Sequence, residues 1–330
     1  MDMTAPDPGP LRAGAGAPDW TVPAVSIIVA GPAAPDALRE TLASTLAIAA
    51  PAHEVIVIDT GTDPATTEVL RDFIRLDPFL RPLRARGLNA AAARNAGAAL
   101  ARGRALVFVA PGARLRPEGL AARLTAVERG PDAALVVAGD EVAPLDDRSD
   151  RLPDPDAVTR PLTPTAVVAD LDPGGRPLLV VSRAAWTAIG GFDDSLAEAA
   201  VEDWLLRAMA LDPGAVLTMD RPRASRSGLG AAPPGLPSVR AWERLWARAV
   251  ALDPALAPAR RPARARHRRA LAVAARGAGA PAGVALRLLA GAVRAWPGML
   301  WREPRATVGA LAGALRAPAR RRAPPPSRPD

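Results

Sequence analysis

At 330 residues the chain is long enough for one large domain or two ordinary ones, and 49% apolar residues exclude wholesale disorder. It contains no cysteine, which excludes disulfides, thiolate metal sites and a cysteine nucleophile, and its two histidines, His53 and His267, are too few and too far apart to suggest a histidine metal centre. The net charge of +8 is unevenly spread: residues 240–330 hold 19 arginines against four acids, a balance of +15, which leaves the first 239 residues at −7. This pattern describes an acidic domain with a basic appendage, and no nucleic-acid motif accompanies the charge.

Residues 1–24 are rich in Pro, Gly, Ala and Asp, lack the basic and apolar regions of a signal peptide, and read as a disordered leader. From Val25 the pattern becomes regular. Apolar runs of buried-strand type occur at 25–29, 54–58, 106–109 and 134–138, and 80–84 is a further candidate strand. Between them, helical spacing is predicted over 36–48, 66–76, 89–101 and 118–128. Alternation of this kind predicts an α/β fold with a parallel sheet, helices on both faces, and ligands at the carboxyl ends of the strands. Residues 139–175, crowded with Asp and Pro, read as long irregular connections. A strand over 177–181, a Gly190-Gly191-Phe192-Asp193 turn, a helix over 200–211 and a strand over 215–219 follow.

The pieces fall into a known order: Glu54-Val-Ile-Val-Ile-Asp59-Thr-Gly-Thr-Asp63, Asn89-Ala-Ala-Ala-Ala-Arg94-Asn95-Ala-Gly97, Gly139-Asp140-Glu141, Gly190-Gly191-Phe192-Asp193 and Glu202-Asp203-Trp204. The ordered set resembles a family 2 glycosyltransferase with the GT-A, Rossmann-like nucleotide-sugar-binding fold, over about two thirds of the chain. The resemblance implies donor contacts from Asp59, Asp63, Asn89, Arg94 and Asn95, with Asp59 accepting from the nucleoside and Arg94 near the diphosphate. It implies acceptor contacts from Asp140, Glu141, Gly191 and Phe192, and catalysis by Asp203, the general base, with Glu202 beside it. Each residue also has a plainer reading: Asp59 as a turn former, Asn89 as a helix cap, Phe192 as core, and the acids as first-turn enrichment.

The family pattern breaks after the fourth strand, where an Asp-x-Asp motif usually holds a divalent metal on the donor diphosphate. Ala110 and Gly112 stand there, so no metal ligands and no cofactor are assigned. Two explanations are open. Arginines such as Arg94, Arg114, Arg223 and Arg226 neutralise the departing diphosphate instead, or the domain is a degenerate member that keeps binding without turnover.

The expected organisation is therefore a leader (1–24), a glycosyltransferase-like domain (25–228), a linker (229–238), a C-terminal basic helical extension (239–318) and a disordered tail (319–330). In the extension, Val239, Trp242, Trp246, Ala249 and Val250 share one helix face, and Val308, Leu311 and Leu315 form another stripe. Either Trp242, Trp246, Trp296 and Trp301 sit at the headgroups of an anionic membrane with arginines on lipid phosphates, or these helices pack on the domain. No apolar run is long enough to span a bilayer, which places the chain in the cytoplasm, peripheral on the inner face of a membrane at most. The function implied is inverting transfer from a nucleoside-diphosphate sugar to a glycan or lipid-linked acceptor, as in cell-surface polysaccharide synthesis. The alternative is a nucleotide-, glycan- or partner-binding module.

Overall fold

The computed structural model describes residues 23–49, 51–77, 79–115, 117–129, 135–138, 159–169, 178–212, 216–219 and 238–315. The expected leader up to residue 22, Asp140, Glu141, Arg223, Arg226, most of the linker and the tail from residue 316 lie outside these residues.

Three strands at the heart of the sheet show why the apolar runs fold as they do. β1 (Val25–Gly31), β2 (His53–Asp59) and β4 (Ala105–Val109) are buried along their whole length. Runs apolar on both faces belong in parallel sheets covered on both sides. Alternate residues serve two cores: Ile28, Ile56, Ile58, Leu106 and Phe108 enter one, and Ile27, Val29, Val55, Val57 and Val107 the other. The period of two places each set on its own face.

α1 (Pro35–Leu46), α2 (Pro64–Leu76) and α4 (Pro117–Arg129) cover the second face, with Leu38, Leu42, Val69, Phe73, Leu120 and Leu124 in its core. α3 (Ala90–Leu100) lies on the first face against β1 and β2. Its approach is so close that a β-carbon on Gly97 would collide with the side chain of Ile28.

The sheet has eight strands in the order β3-β2-β1-β4-β7-β5-β8-β6, adding β3 (Leu80–Arg84), β5 (Leu135–Ala138), β6 (Thr159–Pro161), β7 (Leu178–Ser182) and β8 (Val216–Met219). Its left half is parallel, as expected. The wholly parallel expectation is corrected further on: β7 runs antiparallel to β4 and β5, and β6 antiparallel to β8. An apolar run specifies burial on both faces but not direction, and the long segment between β5 and β7 gives the chain room to return from the other end. The irregular reading of 139–175 is also corrected in part, because β6 and α5 (Pro164–Ala169) lie within it. Both are too short to show a period, and Pro161 is tolerated because β6 is an edge strand.

α6 (Arg183–Ile189), a 3₁₀ turn (Asp194–Ala199) and α7 (Ala200–Leu211) complete the first face together with α8 (Val239–Leu252). Trp242, Leu245, Trp246 and Ala249 recur at helical spacing on α8, are all at most 3% exposed, and join the core of α5 and α7. Trp242 and Trp246 are therefore core residues, and of the two alternatives the packing one holds for α8.

Beyond a second 3₁₀ turn (Pro254–Ala259), α9 (Arg260–Gly277), α10 (Ala282–Ala295), α11 (Met299–Arg302) and α12 (Pro304–Leu315) pack chiefly on one another. Their small cores are built mostly of alanine, with Leu289 and Met299. Glu303 clamps the bundle by accepting from Arg266 and Arg269 of α9, each at 2.6 Å. Among the described residues, no helix is long and apolar enough to cross a membrane.

Candidate active site

The carboxyl ends of β1 and β2 meet at Gly31 and Asp59, which are register partners. Asp59 is 3% exposed. Its carboxylate accepts from the Gly61 N–H at 2.9 Å and the Thr66 hydroxyl at 3.2 Å, with the Arg84 guanidinium 3.6 Å away. It builds its own turn, as Asp-Thr-Gly-Thr chemistry suggests. Asp63 caps α2 by accepting from the Ala65 N–H at 2.9 Å. Arg84, at the end of β3, had no signal in sequence; only the β2–β3 register brings it to Asp59.

After β4 the chain turns at Ala110, and Gly112 adopts a positive φ of 88°. The Gly112 N–H donates to Thr41 of α1 at 2.8 Å and the Leu115 N–H to Ser44 at 3.0 Å. This loop offers no side-chain oxygen at the positions where the family motif carries carboxylates. Among the described residues, no group of three His, Asp or Glu side chains is placed to hold a metal. The residues present here do not fit a divalent cation. Arg114 lies exposed on the same loop.

Across the sheet edge, the two asparagines organise the Gly-Gly-Phe-Asp turn. Asn89 caps α3 by accepting from the Ala92 N–H at 2.9 Å, and its amide donates to the Asp194 carbonyl at 2.8 Å. Asn95 pairs with the backbone of Phe192 in both directions: its oxygen accepts from the Phe192 N–H and its amide donates to the Phe192 carbonyl, both at 2.9 Å. A β-carbon on Gly191 would come within 2.9 Å of the Asn95 oxygen, so glycine is needed beside this clasp. Gly190 has φ 84°, a conformation glycine supplies freely. The indole of Trp204 donates to its carbonyl at 2.7 Å.

Phe192 is 4% exposed and packs with Phe108, Trp186 and Trp204, ring centroids 5.0–6.0 Å apart. Of its two readings, the Phe192 ring takes the core one, and the turn backbone, with exposed Gly191, reaches the surface.

The two acids of α7 have different surroundings. Asp203 is 1% exposed and fully paired: Arg207 approaches one carboxylate oxygen at 3.0 Å, and Arg248 of α8 approaches the other at 2.9 Å. Arg207 also donates to the carbonyls of Ile189 and Gly191, at 2.8 and 2.6 Å. Asp203 thus anchors the arginine that holds the glycine turn, with one guanidinium at each of its carboxylate oxygens. Arg207 was legible as an i,i+4 partner of Asp203; Arg248, on another helix, was not.

Glu202 is the other case. Its Oε2 is buried without a hydrogen-bond partner. Burial pushes its carboxyl up to about 7, against the opposing pull of its own backbone N–H and of the Arg94 charge. Burial also lowers Arg94 from its ordinary value, with the Glu202 charge opposing, and the guanidinium lies 6.0 Å from the Phe192 ring centroid. The structure therefore brings Arg94, Glu202 and the Gly190–Phe192 turn together, with Asp59 and Asp63 on a separate loop.

Residues 26–155 match the family model described as glycosyl transferase family 2. This segment is homologous to the family 2 glycosyltransferases. The matched stretch contains Asp59, Asp63, Asn89, Arg94 and Asn95, and α7 with Glu202 and Asp203 lies outside it. Among solved structures, residues 1–349 of S. aureus TarS are 15% identical, with a TM-score of 0.51, covering 89% of this chain and 81% of that one. That likeness supports a shared GT-A fold. A longer S. aureus TarS structure is 16% identical with a TM-score of 0.46, and the match covers 59% of this chain but only 35% of that one. The mannosyltransferase PcManGT from Pyrobaculum calidifontis, solved with GDP-Man and Mn2+, is 20% identical over 91% of this chain and 89% of its own, with a TM-score of 0.45. No curated protein matches the chain.

Proposed function

We propose that the chain is an inverting glycosyltransferase that moves a sugar from a nucleoside-diphosphate sugar to a hydroxyl of a glycan or lipid-linked acceptor. The observation that carries this reading is Glu202, a half-buried residue whose Oε2 is buried without a hydrogen-bond partner beside Arg94, in a chain whose residues 26–155 match the family 2 model. A carboxyl that titrates near neutrality is suited to general-base work. In the proposed step the acceptor oxygen attacks the anomeric carbon as its proton passes to Glu202. The bond from the anomeric carbon to the diphosphate breaks, and the nucleoside diphosphate leaves from the opposite face. Arg94 offsets negative charge at the transfer end. The nucleoside lies against the loop that Asp59 and Asp63 build, and Asn89, Asn95 and Asp203 hold the frame. No step is assigned to a metal.

A second reading is favoured by Ala110, Gly112 and the fully paired Asp203: a binding module that has kept the fold without turnover. Thermal melting with UDP, GDP, dTDP and CMP, each with Mn²⁺ or EDTA, separates the two when combined with transfer assays. A ligand at about 100 times its dissociation constant adds about 2.7 kcal/mol of stability. The transferase reading expects one nucleotide to raise the melting temperature regardless of EDTA. It also expects Glu202→Gln to keep that shift while losing about 10²-fold or more of kcat. A variant as active as wild type would remove Glu202 from the chemistry. A melting shift with no transfer to any acceptor would favour the binding module.

A further inference from the structure

Five of the large apolar side chains exposed on the described surface fall within one short stretch: Leu300 (48%), Trp301 (69%), Val308 (64%), Leu311 (45%) and Leu315 (65%). On α12 the last three stand at i, i+3 and i+7, so they form one stripe along the helix. The adjoining side of the same helix, about 100° round, is already used, with Thr307, Ala310 and Ala314 buried against the bundle. The stripe is therefore a second apolar face left over after α12 has packed. Concentrated exposure of this kind marks an interaction surface more than scattered single residues do.

The charge around it selects the partner. Residues 238–315 hold fourteen arginines against three acids, a net of +11. Arg302 and Arg305 are exposed on α11 and α12 themselves. The acid between them, Glu303, is consumed by Arg266 and Arg269. Glu243 is likewise engaged by Arg260 and Arg264 of α9, both at 2.6 Å. A second copy would bring the same uncompensated positive surface against this one, which like-charge repulsion opposes. A nucleic acid would meet the arginines but leave the leucines and Trp301 in contact with its charged backbone. An anionic bilayer satisfies both sets of groups: apolar side chains enter the acyl boundary, an indole sits at headgroup depth, and guanidiniums meet lipid phosphates.

We propose that the α11–α12 face, with Trp301, Val308, Leu311 and Leu315 as its apolar contacts and Arg302 and Arg305 as its charged rim, docks the protein on an anionic membrane surface. Of the four tryptophans that the sequence offered for a membrane, Trp301 belongs to this surface, whereas Trp242 and Trp246 are interior. The inference stands whether or not the chain catalyses transfer.

The test is co-sedimentation of the full chain with phosphatidylglycerol vesicles and with phosphatidylcholine vesicles. Wild type should bind the former, bind the latter weakly, and lose binding as salt rises. The double variant Trp301→Ser with Leu311→Ser should lose about tenfold or more of the affinity. Trp301 and Leu311 are both exposed, so folding is expected to survive, and a cooperative melting transition like that of wild type provides the check. Arg302→Glu with Arg305→Glu should reduce binding to phosphatidylglycerol without changing the weak binding to phosphatidylcholine. Failure of wild type to bind, binding unaffected by the Trp301 and Leu311 changes, or a wild-type dimer in sedimentation equilibrium that those changes dissociate would each overturn the proposal. The last would assign the face to a second copy.

Discussion

At the residue scale, adjacent carboxylates on α7 do different work because of what packs on each. Asp203 faces two guanidiniums, one from its own helix and one from α8; Glu202 has an oxygen with no partner and is pushed up to about 7 by burial. An elevated carboxyl makes a pH prediction with a definite sign. Between its ordinary value of 4.5 and about 7, the folded state holds a proton that the unfolded chain has released. Stability contributed by this residue is thus present below pH 4.5 and falls as pH rises through that window, by up to about 3 kcal/mol. Glu202→Gln removes the titration. Chemical denaturation of wild type and variant from pH 4 to 8 should show the variant's stability declining less steeply and exceeding wild type at the alkaline end. Parallel profiles would mean that Glu202 is as well solvated folded as unfolded.

At the scale of elements, close approach accounts for much of the geometry. Gly97 lies inside α3, where alanine would ordinarily gain about 1 kcal/mol over glycine. Its missing β-carbon is where Ile28 of β1 sits. Gly97→Ala should therefore lower stability by about 1–3 kcal/mol despite its better helix propensity. Gly309→Ala on α12, with nothing within 4 Å of the new carbon, should raise it by about 0.5–1 kcal/mol. Opposite signs in thermal melting are the expected result, and a gain at both positions would show that α3 can shift off the sheet. The elements most legible in sequence were those with a continuous apolar run, such as β1 and β2, or with helical spacing, such as α2 and α7. Strand direction at β7 was hidden because burial on two faces looks the same in either direction. β6 and α5 were hidden by their shortness. At the site, the surroundings of the motif residues depend on partners distant in sequence. Nothing near Asp203 announces Arg248, and nothing near Asn95 announces that its amide closes on Phe192.

At the scale of the whole molecule, the basic C-terminal region divides by packing rather than by composition. α8 carries Arg240, Arg244 and Arg248, yet Trp242, Leu245 and Trp246 are at most 3% exposed in the same core as Trp204, and Arg248 completes the pairing of Asp203. Burial of large apolar side chains contributes about 1.5–3 kcal/mol each, so the loss of α8 removes an amount comparable with the whole stability of an ordinary domain, about 5–15 kcal/mol. The links from α8 to α9 are fewer: His267 stacked on Trp242 with centroids 5.5 Å apart, and Arg260 and Arg264 on Glu243. The cores of α9 to α12 are separate and small. Truncation should therefore have a sharp threshold. A chain ending at residue 259 keeps Leu256 and all of α8, and should retain a cooperative melting transition and whatever nucleotide shift the full chain shows. It should also lose binding to phosphatidylglycerol vesicles. A chain ending at residue 238 should show no cooperative transition, because it exposes the underside of α7 and strips one of the two arginines from a buried carboxylate. If the shorter chain instead melts cooperatively and still binds nucleotide, α8 is an accessory, and the frame that positions Glu202 is complete without it.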